Sequence, residues 1–201
     1  MNAFFQTLHH ADQAATLWLN SINCPVSDVV WMVFSNTPIW FIFYAAVAVV
    51  LFRRLGWKKG LVSIVALALT VVLCDQSSNL LKYSVCRLRP CHDPWMLASG
   101  LNVLENGGLF GFFSAHAANT FGFAMCSSKC LSTDAGRSHR AYTVGVFIWA
   151  SLVSVSRVFV GKHFIGDILV GTVVGLLFGF LTWKLAEAFF KKITTTPNKN
   201  A

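Results

Sequence analysis

Three short clusters hold the side chains able to do chemistry in an otherwise apolar chain. The first runs Lys82-Tyr83-Ser84-Val85-Cys86-Arg87-Leu88-Arg89-Pro90, the second Phe113-Ser114-Ala115-His116, and the third from Ser156-Arg157 to Lys162-His163 and Asp167. Together they supply cations, two histidines, a serine and a carboxylate. Such a set suits phosphoryl transfer, because phosphoryl groups carry dense negative charge that Lys82, Arg89 and Arg157 can neutralise as it redistributes in the transition state. The planar arginine fork suits bidentate phosphate contact. His163 and Asp167 are spaced i, i+4 and share a helix face if the helix begins by Lys162. Asp167 can then hold one ring nitrogen and leave the other as a nucleophile. His116 comes from a different element and is free to be the general acid. No second carboxylate adjoins the histidines to complete a metal site, so neither a metal nor a cofactor is expected.

The elements that must carry these clusters are membrane helices. Hydrophobic residues make up 55% of the 201 and charged residues 12%, with 18 Phe and 7 Trp. That leaves too little polar surface for a soluble domain, which typically has ~25% charged residues. An all-α, polytopic membrane bundle is expected, a single domain over 1–201 with about five transmembrane helices. The spans are Ile39–Phe52 (starting near Asn36), Gly60 to Lys82, Ala115–Leu131, Ala141–Arg157 and Phe164–Phe190. Each approaches the ~20 residues a bilayer needs. Residues 1–35 read as an interfacial amphipathic segment: Phe4, Leu8, Ala11, Ala15, Trp18 and Ile22 recur at steps of three and four, with His9 and His10 on a solvated polar side. Residues 36–190 form the bundle and 191–201 a frayed cytoplasmic tail.

Sixteen Lys+Arg stand against 8 Asp+Glu. The excess reads as the basic flanks of membrane helices, and no nucleic-acid partner is implied. Arg53, Arg54, Lys58, Lys59, Lys129, Arg137, Arg140, Lys184, Lys191, Lys192 and Lys199 alternate onto one side, which the positive-inside rule makes cytoplasmic. Lys82, Arg87, Arg89, Arg157 and Lys162 fall on the opposite side, where basic residues are disfavoured and need a reason. The chemistry therefore belongs to the extracytoplasmic face.

Around the clusters, Asp75, Asn79 and Lys82 line one face of the second span. An intramembrane carboxylate there is expensive unless it supports function. Asn119, one turn below His116, is a similar candidate. Arg87 and Lys162 read as headgroup contacts or interfacial cations. The stripe Gly171, Gly175, Gly179 lets backbones approach closely in lipid. Trp95 and its neighbours read as a lid or an interfacial loop. Cys86 and Cys91 flank the first motif and are candidates to pair if they face an oxidising compartment.

Lys82-x6-Arg89-Pro90, Ser114-x-His116 and Ser156-Arg157-x5-His163-x3-Asp167, in this order, resemble the three-part signature of the type 2 phosphatidic acid phosphatase superfamily, a signature shared with vanadium haloperoxidases. The middle motif departs from the usual Pro-Ser-Gly-His in reading Phe-Ser-Ala-His. The resemblance implies a metal-independent membrane lipid phosphatase or diphosphatase of a bacterial inner membrane. His163 is then the nucleophile forming a phosphohistidine, Asp167 its support and His116 the acid, while Lys82, Arg89, Ser114, the Ala115 N–H and Arg157 bind phosphate. Undecaprenyl diphosphate ranks first as substrate, with Arg87 and Lys162 available to a second phosphate. Phosphatidylglycerophosphate and phosphatidic acid belong to the same reading, and a lipid A phosphatase is the close alternative. A phosphotransferase and a non-catalytic lipid-binding protein are the alternatives.

Overall fold

The computed structural model describes residues 3–134, 136 and 138–195; of the expected cytoplasmic side, Arg137 and residues 196–201 with Lys199 lie outside them, while 191–195 continue the last helix. Seven helices follow in order among the described residues: α1 Ala3–Asn20, α2 Pro25–Ser35, α3 Phe41–Val85, α4 Pro94–Ala98, α5 Ala115–Leu131, α6 Arg140–Phe159 and α7 Ile165–Thr195. A 3-10 turn, Thr37–Trp40, leads into α3, and a second, Pro90–His92, precedes α4.

The first two expected spans form α3, which is broken at Gly56 (φ 75°, ψ 168°). Those angles are accessible to glycine and strained for other residues, and they fold 41–55 back along 57–85. Gly60 lies so close to the Phe52 backbone that a Cβ there would sit 3.1 Å from the Phe52 Cα. Three stretches are long and apolar enough to cross a membrane: Thr37–Val85, Arg140–Phe159 and Ile165–Thr194. The hairpin supplies two passes, α6 and α7 one each. The fifth is α5, at 17 residues shorter and more polar because its neighbours shield it from lipid. It packs against α3, α6 and α7. The glycine stripe sits on this contact, Gly175 against the Ala118 carbonyl and Gly179 against the Gly122 carbonyl.

A cluster containing Leu51, Phe123, Leu131, Trp149, Val153 and Phe190 fills the half of the bundle away from the motifs. At ~25 cal/mol per Å² buried, such large side chains dominate the packing energy.

The N-terminal segment differs from expectation. It is two helices, and the polar side of α1 is docked on protein instead of solvated. Gln13, Thr16 and Asn20 are buried, while Phe4, Phe5, Leu8 and Trp18 are exposed. Asn20 Nδ2 donates to the Val158 and Asn102 carbonyls, both at 3.0 Å. His9 is half-buried and meets Arg87; His10 is exposed and lies 3.1 Å from Gln13 Oε1. α2 leans on α6 by stacking Trp31 on Phe159 at 4.4 Å.

Candidate active site

His163 lies in the turn between α6 and α7. The chain leaves α6 at Phe159 and reverses at Gly161, whose φ of 79° favours glycine. Because α7 begins only at Ile165, His163 is not on a helix face, and the i, i+4 argument pairs it with Asp167 for the wrong reason. Asp167 sits in the first turn of α7 and reaches back as a cap. Its Oδ2 accepts from the Phe164 N–H at 3.1 Å and faces His163 Nδ1 at 3.3 Å. The other oxygen accepts from Arg87 Nη1 at 2.9 Å. Asp167 has no exposed surface and His163 only 2%. With Nδ1 engaged, Nε2 is the ring nitrogen left to react. Burial first, then the charges of Arg89, Arg157, Lys82 and Lys162, hold the His163 pKa well below the ordinary histidine value, so the ring is neutral. The first and third motifs meet here: the His163 N–H donates to the Arg157 carbonyl at 3.1 Å, and Gly111 lies against both the Arg89 side chain and the His163 ring.

His116 stands in the first turn of α5, whose N-cap is Ser114. The Ser114 Oγ accepts from the Ala117 N–H at 3.4 Å, and the Ser114 N–H donates to the Asp167 carbonyl at 3.0 Å. The second motif is thus pinned to the third, and Ala115 opens the helix with a free-ended N–H at its positive end. His116 Nε2 lies 3.0 Å from Thr37 Oγ1.

Arg157 is almost fully buried. Its Nη1 donates to the carbonyl and hydroxyl of Ser35, while its Nε has no partner among the described residues. A buried donor left open suits an anion more than a core contact. Arg89 Nε donates to the Phe110 carbonyl at 3.1 Å. Lys162 pairs with Glu105, whose carboxylate also lies 3.9 Å from Arg157. Burial works to raise the Glu105 pKa, but the hydrogen bonds from Lys162 and Ser35 outweigh it and hold it below the ordinary value. Arg87, read as a headgroup contact, is engaged by Asp167, by Asp12 at 2.7 Å and by the Phe164 ring face at 4.0 Å.

Asp75 and Asn119 meet each other, Asn119 Nδ2 donating to Asp75 Oδ1 at 2.8 Å. Asn79 is exposed on the outer part of α3. Cys86 and Cys91 are free thiols, Cys86 exposed and Cys91 buried. The loop read as a lid is tied down. An antiparallel bridge joins Leu88 to Phe110, and the Leu104 and Glu105 N–H groups donate to the Val160 carbonyl. Within it Gly111 closes over His163: a Cβ there would lie 2.9 Å from Arg89 Cγ and 3.6 Å from His163 Nδ1. Sequence reasoning gave no role to Asp12, Ser35, Thr37, Glu105 or Gly111. Only for Asp12 was there a signal: Asp12, Gln13, Thr16 and Asn20 form a polar stripe on an otherwise apolar helix, and such a stripe has to find polar partners.

A model of the PAP2 superfamily matches residues 59–191. The lipid A 4'-phosphatase of Bacteroides thetaiotaomicron is 32% identical over 200 residues, covering 96% of this chain and 86% of that protein. The lipid A 4'-phosphatase of Porphyromonas gingivalis is 32% identical over 171 residues, 84% of this chain and 70% of that protein. In fold, the chain is similar to the crystal structure of a transmembrane PAP2-type phosphatidylglycerolphosphate phosphatase from Bacillus subtilis. The TM-score is 0.68 at 22% identity, over 93% of this chain and 88% of that one. The chain belongs to the PAP2 superfamily and is a membrane-embedded lipid phosphatase of that family.

Proposed function

We propose that the chain dephosphorylates a lipid A-type glycolipid at the extracytoplasmic face of a bacterial inner membrane. His163 Nε2 attacks phosphorus, forming an N–P bond as the P–O bond to the lipid breaks, and His116 gives its proton to the departing oxygen. His116 then takes a proton from water as that water attacks the phosphohistidine, releasing inorganic phosphate and restoring both rings. Arg157, Arg89 and Lys82 neutralise the phosphoryl oxygens, with the Ala115 N–H and the Ser114 hydroxyl as further donors. Asp75 and Asn119 brace the α3–α5 contact below.

The observation that carries the reaction is the geometry at His163. The ring is buried and neutral, Nδ1 faces a carboxylate, and an open guanidinium N–H of Arg157 belongs to the same site. On substrate, the two relatives named as lipid A 4'-phosphatases support a monophosphate on a sugar headgroup. This reverses the ranking that put undecaprenyl diphosphate first. That ranking needed Arg87 and Lys162 for a second phosphate, and both are already paired with carboxylates.

The test is phosphate release by purified protein in mixed micelles of lipid A, undecaprenyl diphosphate or phosphatidylglycerophosphate, with product mass read in parallel. Release from the 4'-position of lipid A at the highest kcat/KM is expected, unchanged by EDTA. A clear preference for undecaprenyl diphosphate overturns the substrate reading. Loss of activity with EDTA overturns the metal-independent mechanism.

A further inference from the structure

A chain of four charged or polar groups runs from α1 to the nucleophile. Asp12 Oδ2 accepts from Arg87 Nη2 at 2.7 Å, Arg87 Nη1 donates to Asp167 Oδ1 at 2.9 Å, and Asp167 Oδ2 faces His163 Nδ1 at 3.3 Å. The second Asp12 oxygen accepts from the Gly166 N–H at 2.9 Å, so the same carboxylate caps the first turn of α7, on which Asp167 stands. Gly166 is what permits that approach: a Cβ there would lie 2.6 Å from Asp12 Oδ2. The Phe164 ring lies under the guanidinium, and His9 Nδ1 approaches Arg87 Nη2 at 3.3 Å. Neither Asp12 nor Arg87 is one of the motif residues, and α1 lies outside the matched region 59–191.

We propose that Asp12 is a positioning residue for the reaction. It holds Arg87 in the orientation that aims Asp167 at His163 Nδ1, and it anchors the start of α7. The inference rests on His163 being the nucleophile. Asp12 touches neither His163 nor the place where phosphate must lie, so its effect falls on the chemical step and not on substrate capture. It also offsets part of the Arg87 charge. The groups facing His163 are Lys82 from α3, Arg89 from the segment after it, His116 from α5, Arg157 from α6, Lys162 from the turn and Asp167 from α7; Arg87 faces Asp167, and Asp12 and His9 face Arg87 from α1. Neutralising Asp12 leaves the full Arg87 charge on the Asp167–His163 pair, which favours the neutral, less basic imidazole.

The experiment is a double-mutant cycle of Asp12→Asn and Arg87→Lys, on full-length protein in micelles, with kcat and KM measured separately. Asp12→Asn keeps an acceptor for the Gly166 N–H but removes the charge; it is expected to lower kcat about tenfold with KM within about twofold. In the Arg87→Lys background the same substitution is expected to cost less than twofold further. Asp12→Ser, which also retains a cap oxygen, replaces Asp12→Asn if the latter does not purify folded, and carries the same expectation. A kcat within twofold of the parent overturns the proposal. So does a loss carried by KM, or two losses that simply multiply. His163→Ala, run alongside, separates the two levels: turnover there within about 10²-fold of the parent overturns the nucleophile assignment, whereas failure of the cycle alone removes only Asp12.

Discussion

The two histidines of the site are held in opposite ways. His163 is buried in a network where Asp167, Arg87 and Asp12 occupy successive shells and Gly111 closes the top. His116 stands at the rim of α5 with one neutral partner, the Thr37 hydroxyl. The difference matches the role proposed for each. A nucleophile that forms and breaks a covalent bond gains from fixed orientation and a suppressed proton affinity, since little reorganisation is then left for the transition state. An acid that protonates a departing oxygen and then serves water needs access on the side where both arrive. One residue is held by a chain of charged groups, the other by a single hydroxyl.

The largest test of this contrast is His163→Ala. It is expected to lower kcat by at least about 10⁴-fold, because no second group is placed to take over the covalent step. Rapid quench with radiolabelled lipid should find acid-labile protein-bound phosphate in the parent and none in the variant. The network also makes a claim about protonation. Since burial and four cations lower the His163 pKa, the ring stays neutral as pH falls through the ordinary histidine value of 6.5, and it gains a proton only at lower pH. Nitrogen NMR of labelled protein checks this; a ring half-protonated at pH 6.5 would break the comparison.

His116→Ala comes next, at about 10²–10⁴-fold. A substrate whose leaving group has a low pKa should recover much of that loss in this variant and none of it in His163→Ala. Equal recovery in both would mean that the acid and nucleophile assignments are not distinct.

Smaller effects follow from the shells. Gly111→Ala puts a methyl group against Arg89 and the His163–Asp167 pair; overpacking of this kind costs ~1–3 kcal/mol of stability, and a loss of about tenfold in kcat is expected together with a fall of a few degrees in Tm. Thr37→Val removes one neutral hydrogen bond, worth ~0.5–1.5 kcal/mol. It should change kcat about threefold, the smallest of the set. A Thr37→Val loss larger than that of Gly111→Ala would show that the acid is the more tightly governed of the two.

The chain announced its membrane helices through apolar length, and α5 shows the limit of that signal. Thr120, Ser127, Ser128 and the cysteines make it the least apolar of the five, since its neighbours rather than lipid surround it, yet Ala115–Leu131 still reads as a span with the bounds the helix has. The proposed catalytic set could be picked out because Lys82, Arg89, Arg157 and His163 are conspicuous in an apolar chain. The pairing of His163 with Asp167 was anticipated, but through a shared helix face that does not exist; a capping carboxylate makes the pair instead. What stayed hidden was supplied from afar. Asp12, Ser35, Thr37 and Glu105 are ordinary polar residues in ordinary surroundings, and only the folding of α1 and α2 over the bundle end gives them partners. The amphipathic period of α1 was plain, yet periodicity does not say which face meets protein. Here the polar stripe docks, because the apolar one has the membrane edge to cover.

The break at Gly56 has a consequence of parity. A straight helix over 41–85 would be about 67 Å long, more than twice the ~30 Å hydrocarbon thickness. It would carry Thr37 and Lys82 to opposite sides of the bilayer. Folding at one glycine makes the crossings between these two residues even, so everything before the first pass shares a compartment with the first motif. α5 and α6 form a second such pair, and α7 begins where α6 ends. Every residue that the site borrows from the first 40 positions therefore depends on a count of two, set by the one position in α3 whose backbone leaves the helical region.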